Sequence, residues 1–143
     1  MERDQFRSCY EMAVRWGDVD VQGHVNHAQF LCYLETARSI YFRQHLGLTM
    51  GGGKAGFVLA EITCSYRQQL LFPNTVEVLT RVGRLGRSSL TVQGAVFRVG
   101  EKQPLVTSSC VLVWFDFAEQ RSAPLPDRII DAVTAYEPQV PER

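Results

Sequence analysis

The chain has 143 residues, 45% of them hydrophobic, and its 15 basic and 15 acidic side chains cancel. That length suits a single domain over residues 1–143 with a real core, and the balanced charge excludes a general attraction to nucleic acid or anionic membrane. No apolar run approaches the ~20 residues that cross a bilayer, and the N-terminus lacks a secretory pattern. Cys9, Cys32, Cys64 and Cys110 stand apart without metal-type spacing, so free thiols in a cytoplasmic, reducing setting are expected.

In chain order, Phe6, Ser8, Tyr10, Met12, Val14 and Trp16 alternate with Arg7, Glu11 and Arg15, which predicts a half-buried strand over 6–16. From Ala28 to about Leu46 there is no Gly or Pro, and Phe30, Leu34, Ala37 and Tyr41 recur at helical steps. This predicts an amphipathic helix stopped by Gly47. Leu31, Ile40 and Phe42 widen its apolar surface, so cover on more than one side is expected. Gly51 to Gly56 reads as a flexible loop. Four strands follow, at Phe57–Arg67, Thr75–Val82, Ser89–Val99 and Leu105–Phe117, separated by the turn-forming stretches LFPN, GRLGR and GEKQP. Such short connections imply antiparallel neighbours, and Pro124 to Pro138 reads as a short closing helix. The fold class is α+β, with one long helix against an antiparallel sheet of about five strands that can wrap it.

The chemistry concentrates in WGDVDVQGHVNHAQF, Trp16 to Phe30. One reading is structural: Asn26 as helix N-cap with Gln29 completing a capping box, Gly23 in a turn, and Asp18 and Asp20 as turn formers. The other uses the same geometry. A helix N-terminus offers free N–H groups and partial positive charge to an oxyanion, and a carboxylate just upstream supplies a base or nucleophile, the pairing that serves acyl transfer or hydrolysis. The HxxH of His24 and His27 lacks a second ligand cluster, which argues against a metal site. Cys32, mid-helix among Phe30, Leu31 and Leu34, reads as core rather than nucleophile. Glu35 and Arg38, three apart, read as an ion pair.

Asp18 to Arg38, DVDVQGHVNHAQFLCYLETAR, resembles the signature of the 4-hydroxybenzoyl-CoA thioesterase-like branch of the hotdog-fold superfamily, D-x-D-x-x-G-x-V-x-x-x-x-[YF] followed by E-x-A-R. The GHVNHA version is similar to its acyl-CoA and acyl-ACP thioesterases, and the likeness continues through EITCSYRQQLLFPNTVEV and GRSSLTVQ. The resemblance implies a catalytic role for Asp20 rather than Asp18, polarisation of a thioester carbonyl by the His27 backbone N–H, and a turn at Gly23 that admits substrate. His24 stands where the aromatic-acyl branch has an apolar residue, which favours fatty-acyl substrates; His24 and Asn26 are candidates for positioning Asp20 or water. Glu35 is a further candidate near the site through the E-x-A-R match. Arg84, Arg87 and Ser88 resemble the region that meets CoA phosphates, with Lys54 and Arg67 weaker candidates, and Phe57, Leu59 and Tyr66 are candidates for lining an acyl tunnel between helix and sheet.

The expected activity is therefore hydrolysis of acyl-CoA, by direct attack of Asp20 or by water that Asp20 deprotonates, with no metal or redox cofactor and with CoA as part of the substrate. An acyl-ACP thioesterase and a non-catalytic acyl-binding hotdog protein are the alternatives; a hydratase would need an acid/base pair the stretch does not match. The resemblance also implies a homodimer or homotetramer joined through sheet edges, in which a monomeric variant is inactive even with Asp20 intact.

Overall fold

The computed structural model describes residues 1–49, 51, 53–139 and 141–143. After a 3-10 turn at Arg3–Gln5, β1 spans Ser8–Ala13 and a second 3-10 turn spans Trp16–Asp18. The long helix α1 runs His27–His45, followed by β2 at Ala55–Tyr66, β3 at Thr75–Leu85, β4 at Ser89–Arg98 and β5 at Val106–Asp116. A two-residue β6, Arg121–Ser122, precedes α2 at Asp127–Tyr136. The sheet is antiparallel throughout, in the order β1-β3-β4-β5-β2, with β6 paired to β5.

α1 lies across this sheet and buries Phe30, Tyr33, Leu34 and Ala37 against Val76, Val78, Val96 and Val106. Further along, Tyr41 packs with Val82, Leu90, Val92 and Cys110, and Ile129 and Val133 of α2 close that end. Burial of such side chains contributes roughly 1.5–3 kcal/mol each, which outweighs the modest intrinsic propensity of a helix carrying three tyrosine or phenylalanine rings on its inner face. On the outer face of the sheet, Phe6 covers Leu79, Ala95 and Phe97.

Several expectations need correction. The first strand is shorter than 6–16: Val14 and Phe6 are buried, but Trp16 is 74% exposed and opens the 3-10 turn, because the chain must leave the sheet there to reach α1. LFPN does not join neighbours. β2 pairs β5 at the far edge, and β5 and β4 stand between it and β3, so the segment after β2 crosses to the other side of the sheet, through a cis Phe72–Pro73 bond. β3 runs to Leu85, past a bulge between Val82 and Arg84, so GRLGR is half strand. The loop before β2 ends at Lys54, not Gly56; its Gly52 lies outside the described residues. Cys32 faces solvent, and the four cysteines are free, with Cys110 buried.

Candidate active site

Between the 3-10 turn and α1 the chain folds into a miniature hairpin. The Asp20 amide donates to the His24 carbonyl at 2.8 Å, the Gly23 amide to the Asp20 carbonyl at 3.0 Å, and the Asn26 amide to the Asp18 carbonyl at 2.9 Å. Gly23 takes a φ of 78°, a left-handed conformation that a Cβ disfavours. The second leg is tied down by the Val25 amide on the Leu70 carbonyl at 2.8 Å and by a bridge from His24 to Leu71. Asp20 and His24 thus face each other across a stem whose second leg runs straight into α1.

The two aspartates have different surroundings. Asp18 is buried; it accepts from the Tyr33 hydroxyl at 2.6 Å and the Arg15 amide at 2.9 Å, with the Arg15 guanidinium at 3.3 Å. Burial pushes its carboxyl up, but the bonds from Tyr33 and Arg15 and the Arg15 charge outweigh this and hold it below the usual carboxylate range. Asp20 is exposed, and its Oδ1 accepts from the amides of Gln22 at 2.9 Å and His24 at 3.2 Å. Those two bonds fix the carboxylate while Oδ2 has no partner among the described residues.

Asn26 caps α1, its Oδ1 accepting from the Ala28 amide at 2.9 Å. Gln29 returns its backbone amide to the Asn26 carbonyl at 2.9 Å; the side-chain half of the expected capping box is not formed. Among the described residues nothing accepts from the His27 amide, so the first N–H of the helix is free to meet an anion. Tyr66 reaches this turn from β2: its hydroxyl donates to the His27 carbonyl at 2.9 Å and its ring packs edge-on to Phe30. Burial, with the Cys64 thiol beside it, pushes the Tyr66 phenol up to about 12, so it stays a neutral donor.

The structure therefore brings together Asp20, Gly23, His24, Asn26, the His27 amide and Tyr66. Within one copy, Phe57 and Leu59 stand apart from this group. The reason is length: from Phe57 to Tyr66 the extended strand covers roughly 30 Å. Phe57 and Leu59 instead line a cavity of about 670 Å³ beside the second half of α1. Arg84 and Arg87 are exposed at the β3–β4 turn, on the same end of the sheet as that cavity, where the Trp114 amide donates to the Ser88 carbonyl at 2.8 Å. Lys54 lines the cavity rim, and Arg67 reaches Thr107 at 3.5 Å. Glu35 and Arg38 approach to 4.0 Å, Glu35 outward and Arg38 inward. Sequence reasoning missed Tyr33; the signal available was a tyrosine on the buried helix stripe, whose hydroxyl needs a partner.

Residues 14–133 match the family model of the thioesterase-like superfamily. Among solved structures, the chain is similar to a protein of Pseudomonas aeruginosa ascribed to the thioesterases, at 36% identity and TM-score 0.83 over 90% of this chain and 99% of that one. It is similar to a Thermus thermophilus thioesterase complexed with coenzyme A and zinc, at 34% identity and TM-score 0.82 over 95% and 98%. A second Pseudomonas aeruginosa protein superposes with TM-score 0.87 at 29% identity over 95% of each chain.

Proposed function

Because the chain belongs to the thioesterase-like superfamily, we propose that this hotdog-fold thioester hydrolase cleaves acyl-CoA, in the first place fatty-acyl-CoA, to the free acid and CoA at the Asp20 turn. The observation that carries the proposal is a carboxylate fixed by the Gln22 and His24 amides on the very stem that feeds the unpartnered N-terminal amide of α1.

In this reading the thioester carbonyl lies against the start of α1, where the His27 N–H and the partial charge of the helix end stabilise the developing oxyanion. Asp20 Oδ2 attacks the carbonyl and the C–S bond breaks to release the CoA thiolate, leaving a mixed anhydride that water hydrolyses, or Asp20 takes the proton of a water whose attack expels the thiolate; incorporation of labelled solvent oxygen into Asp20 in a single turnover distinguishes the two. Gly23 keeps the backbone low enough for substrate to approach, and Asn26 holds the helix start in place. His24, on the same face as Asp20, and Tyr66, bound to the His27 carbonyl, border the reacting centre. The chain supplies both the carboxylate and the oxyanion donor, so the reaction needs no resident metal or redox cofactor, and CoA enters as part of the substrate. Arg84, Arg87 and Ser88 are assigned to the CoA phosphates, a role suited to exposed guanidinium groups; the coenzyme A bound by the Thermus thermophilus relative supports that carrier.

The assembly proposed is a homodimer through β2. This strand is a sheet edge, and it exposes Leu59 at 50% and Tyr66 at 46%, the type of edge that proteins cover. Antiparallel pairing of two copies of β2 would lay the Tyr66 end of one beside the Phe57 end of the other and give two sites per dimer.

Thiol release from a panel of acyl-CoA esters, short to long and benzoyl, tests the function with wild type and Asp20→Asn. Turnover by wild type that falls on the order of 10²-fold or more in the variant is expected. Faster cleavage of the matching acyl-ACP would overturn the carrier, and no cleavage of either ester would overturn the enzymatic reading in favour of acyl binding.

A further inference from the structure

The cavity beside the second half of α1 carries a charge pattern that the chemistry at Asp20 leaves unexplained. Its walls are aromatic: the Phe57 ring stands 5.2 Å from that of Phe42 and 5.0 Å from that of Trp114. Arg38 of α1, whose side chain is 12% exposed, lines this cavity and also a small neighbouring pocket that holds Cys110. Its guanidinium meets the Cys110 thiol at 3.5 Å and the Glu35 carboxylate at 4.0 Å, the latter beyond hydrogen-bond reach. Burial holds the Cys110 thiol above its usual range despite the Arg38 charge beside it, so the sulfur stays a weak, neutral acceptor. Glu35 points away, 72% exposed. Lys54 and Arg128 line the same cavity, so among the described residues three cations meet a single carboxylate there.

A guanidinium carries five donors in a planar fork. Mostly buried, with a thiol as its near acceptor and the Glu35 carboxylate only at 4.0 Å, that of Arg38 keeps donors of its fork for a second, anionic partner. We infer that the cavity receives an acyl group whose far end bears a carboxylate, and that Arg38 is the specificity-determining residue that pairs with it. The aromatic walls hold the apolar stem, and the fork of Arg38 matches a carboxylate in two parallel hydrogen bonds.

This inference rests on the thioesterase reading of the Asp20 turn, and the fold gives it a geometry. Arg38 lies roughly 16 Å along α1 from His27. In the β2-paired dimer, the Phe57 end of one copy comes beside the Tyr66 end of the other, so a thioester held at one Asp20 turn extends its acyl group into the second copy's cavity.

The test compares two esters of equal chain length, octanoyl-CoA and 7-carboxyheptanoyl-CoA. Their kcat/KM ratio is measured for wild type, Arg38→Met and Arg38→Lys, and their binding to the Asp20→Asn protein, with and without Arg38→Met, is measured by calorimetry. The carboxylated ester is expected to be favoured about tenfold or more in both readouts, as a charge-assisted pair contributes. Arg38→Met should bring the ratio to about one, and Arg38→Lys should restore part of it. Equal handling of the two esters by wild type overturns the inference. So does a loss in Arg38→Met that falls on both esters in equal proportion, since Arg38 would then serve the carrier or the fold. A binding preference that Arg38→Met abolishes, in a protein that cleaves neither ester, sustains the cavity assignment and overturns the hydrolase reading. Cleavage without preference does the reverse.

Discussion

The Tyr33 hydroxyl donates to Asp18 Oδ2 across 2.6 Å, from the second turn of α1 to the loop that precedes it. Asp18 is thereby a strut, whereas Asp20, two positions on in sequence, is exposed with its Oδ2 unpartnered among the described residues. Tyr33→Phe should lower stability by about 1–3 kcal/mol near neutral pH, because a buried carboxylate loses a donor. The Asp18 pKa is depressed in the folded state, so its contribution is present above the usual carboxylate range and lost as pH falls through the folded value. The gap between wild type and Tyr33→Phe, read from urea midpoints, should therefore narrow as the solution is acidified. Asp18→Asn should show the same loss of stability while keeping thioesterase turnover per folded molecule, the opposite of Asp20→Asn.

Close packing of α1 on β4 depends on a missing side chain. A Cβ at Gly94 would stand 2.7 Å from Leu34 Cδ2. Gly94→Ala should cost about 1–3 kcal/mol through overpacking, measured as a shift in urea midpoint at constant slope. Adding Leu34→Val should cost less than the sum of the two changes, since they share one space.

Glu137, just past α2, is buried and accepts from the Tyr41 hydroxyl at 2.5 Å and from the Val82 amide at 2.8 Å beside the β3 bulge. Burial raises its pKa against the opposing hydrogen bonds. A raised carboxyl pKa means stability that is present below the unfolded value and lost as pH rises through the folded one. Glu137→Gln keeps an acceptor for both donors without the charge. Its Tm relative to wild type should increase as pH rises from 4 to 8, whereas Glu137→Ala, which leaves both donors unpaired, should be destabilised across that range by about 1–3 kcal/mol per donor.

If the site is completed by a second copy across β2, activity should follow the assembly. Light scattering should give at least a dimer, and specific activity should fall on dilution in step with the dimer fraction. Full specific activity in a monomeric sample would overturn the paired arrangement.

Local features of the molecule are legible in the chain itself. α1 begins one residue before the expected Ala28, capped by Asn26, and ends before Gly47 at a φ of 64°, because caps, periodicity and left-handed glycine are decided by neighbouring residues. The strands and α2 follow for the same reason, and the Asp18 to Arg38 signature, with its fixed spacings, led to the family and the fold. The edge taken by β2 and the exposure of Trp16 and Cys32 were decided by the tertiary structure. Each depends on which strands pair across long stretches of chain and which face α1 turns to the sheet. Pairing energies of that type belong to residues far apart in sequence, as with Tyr33 on Asp18 and Arg38 in its aromatic cavity, and the alternation within one strand carries no record of its partner.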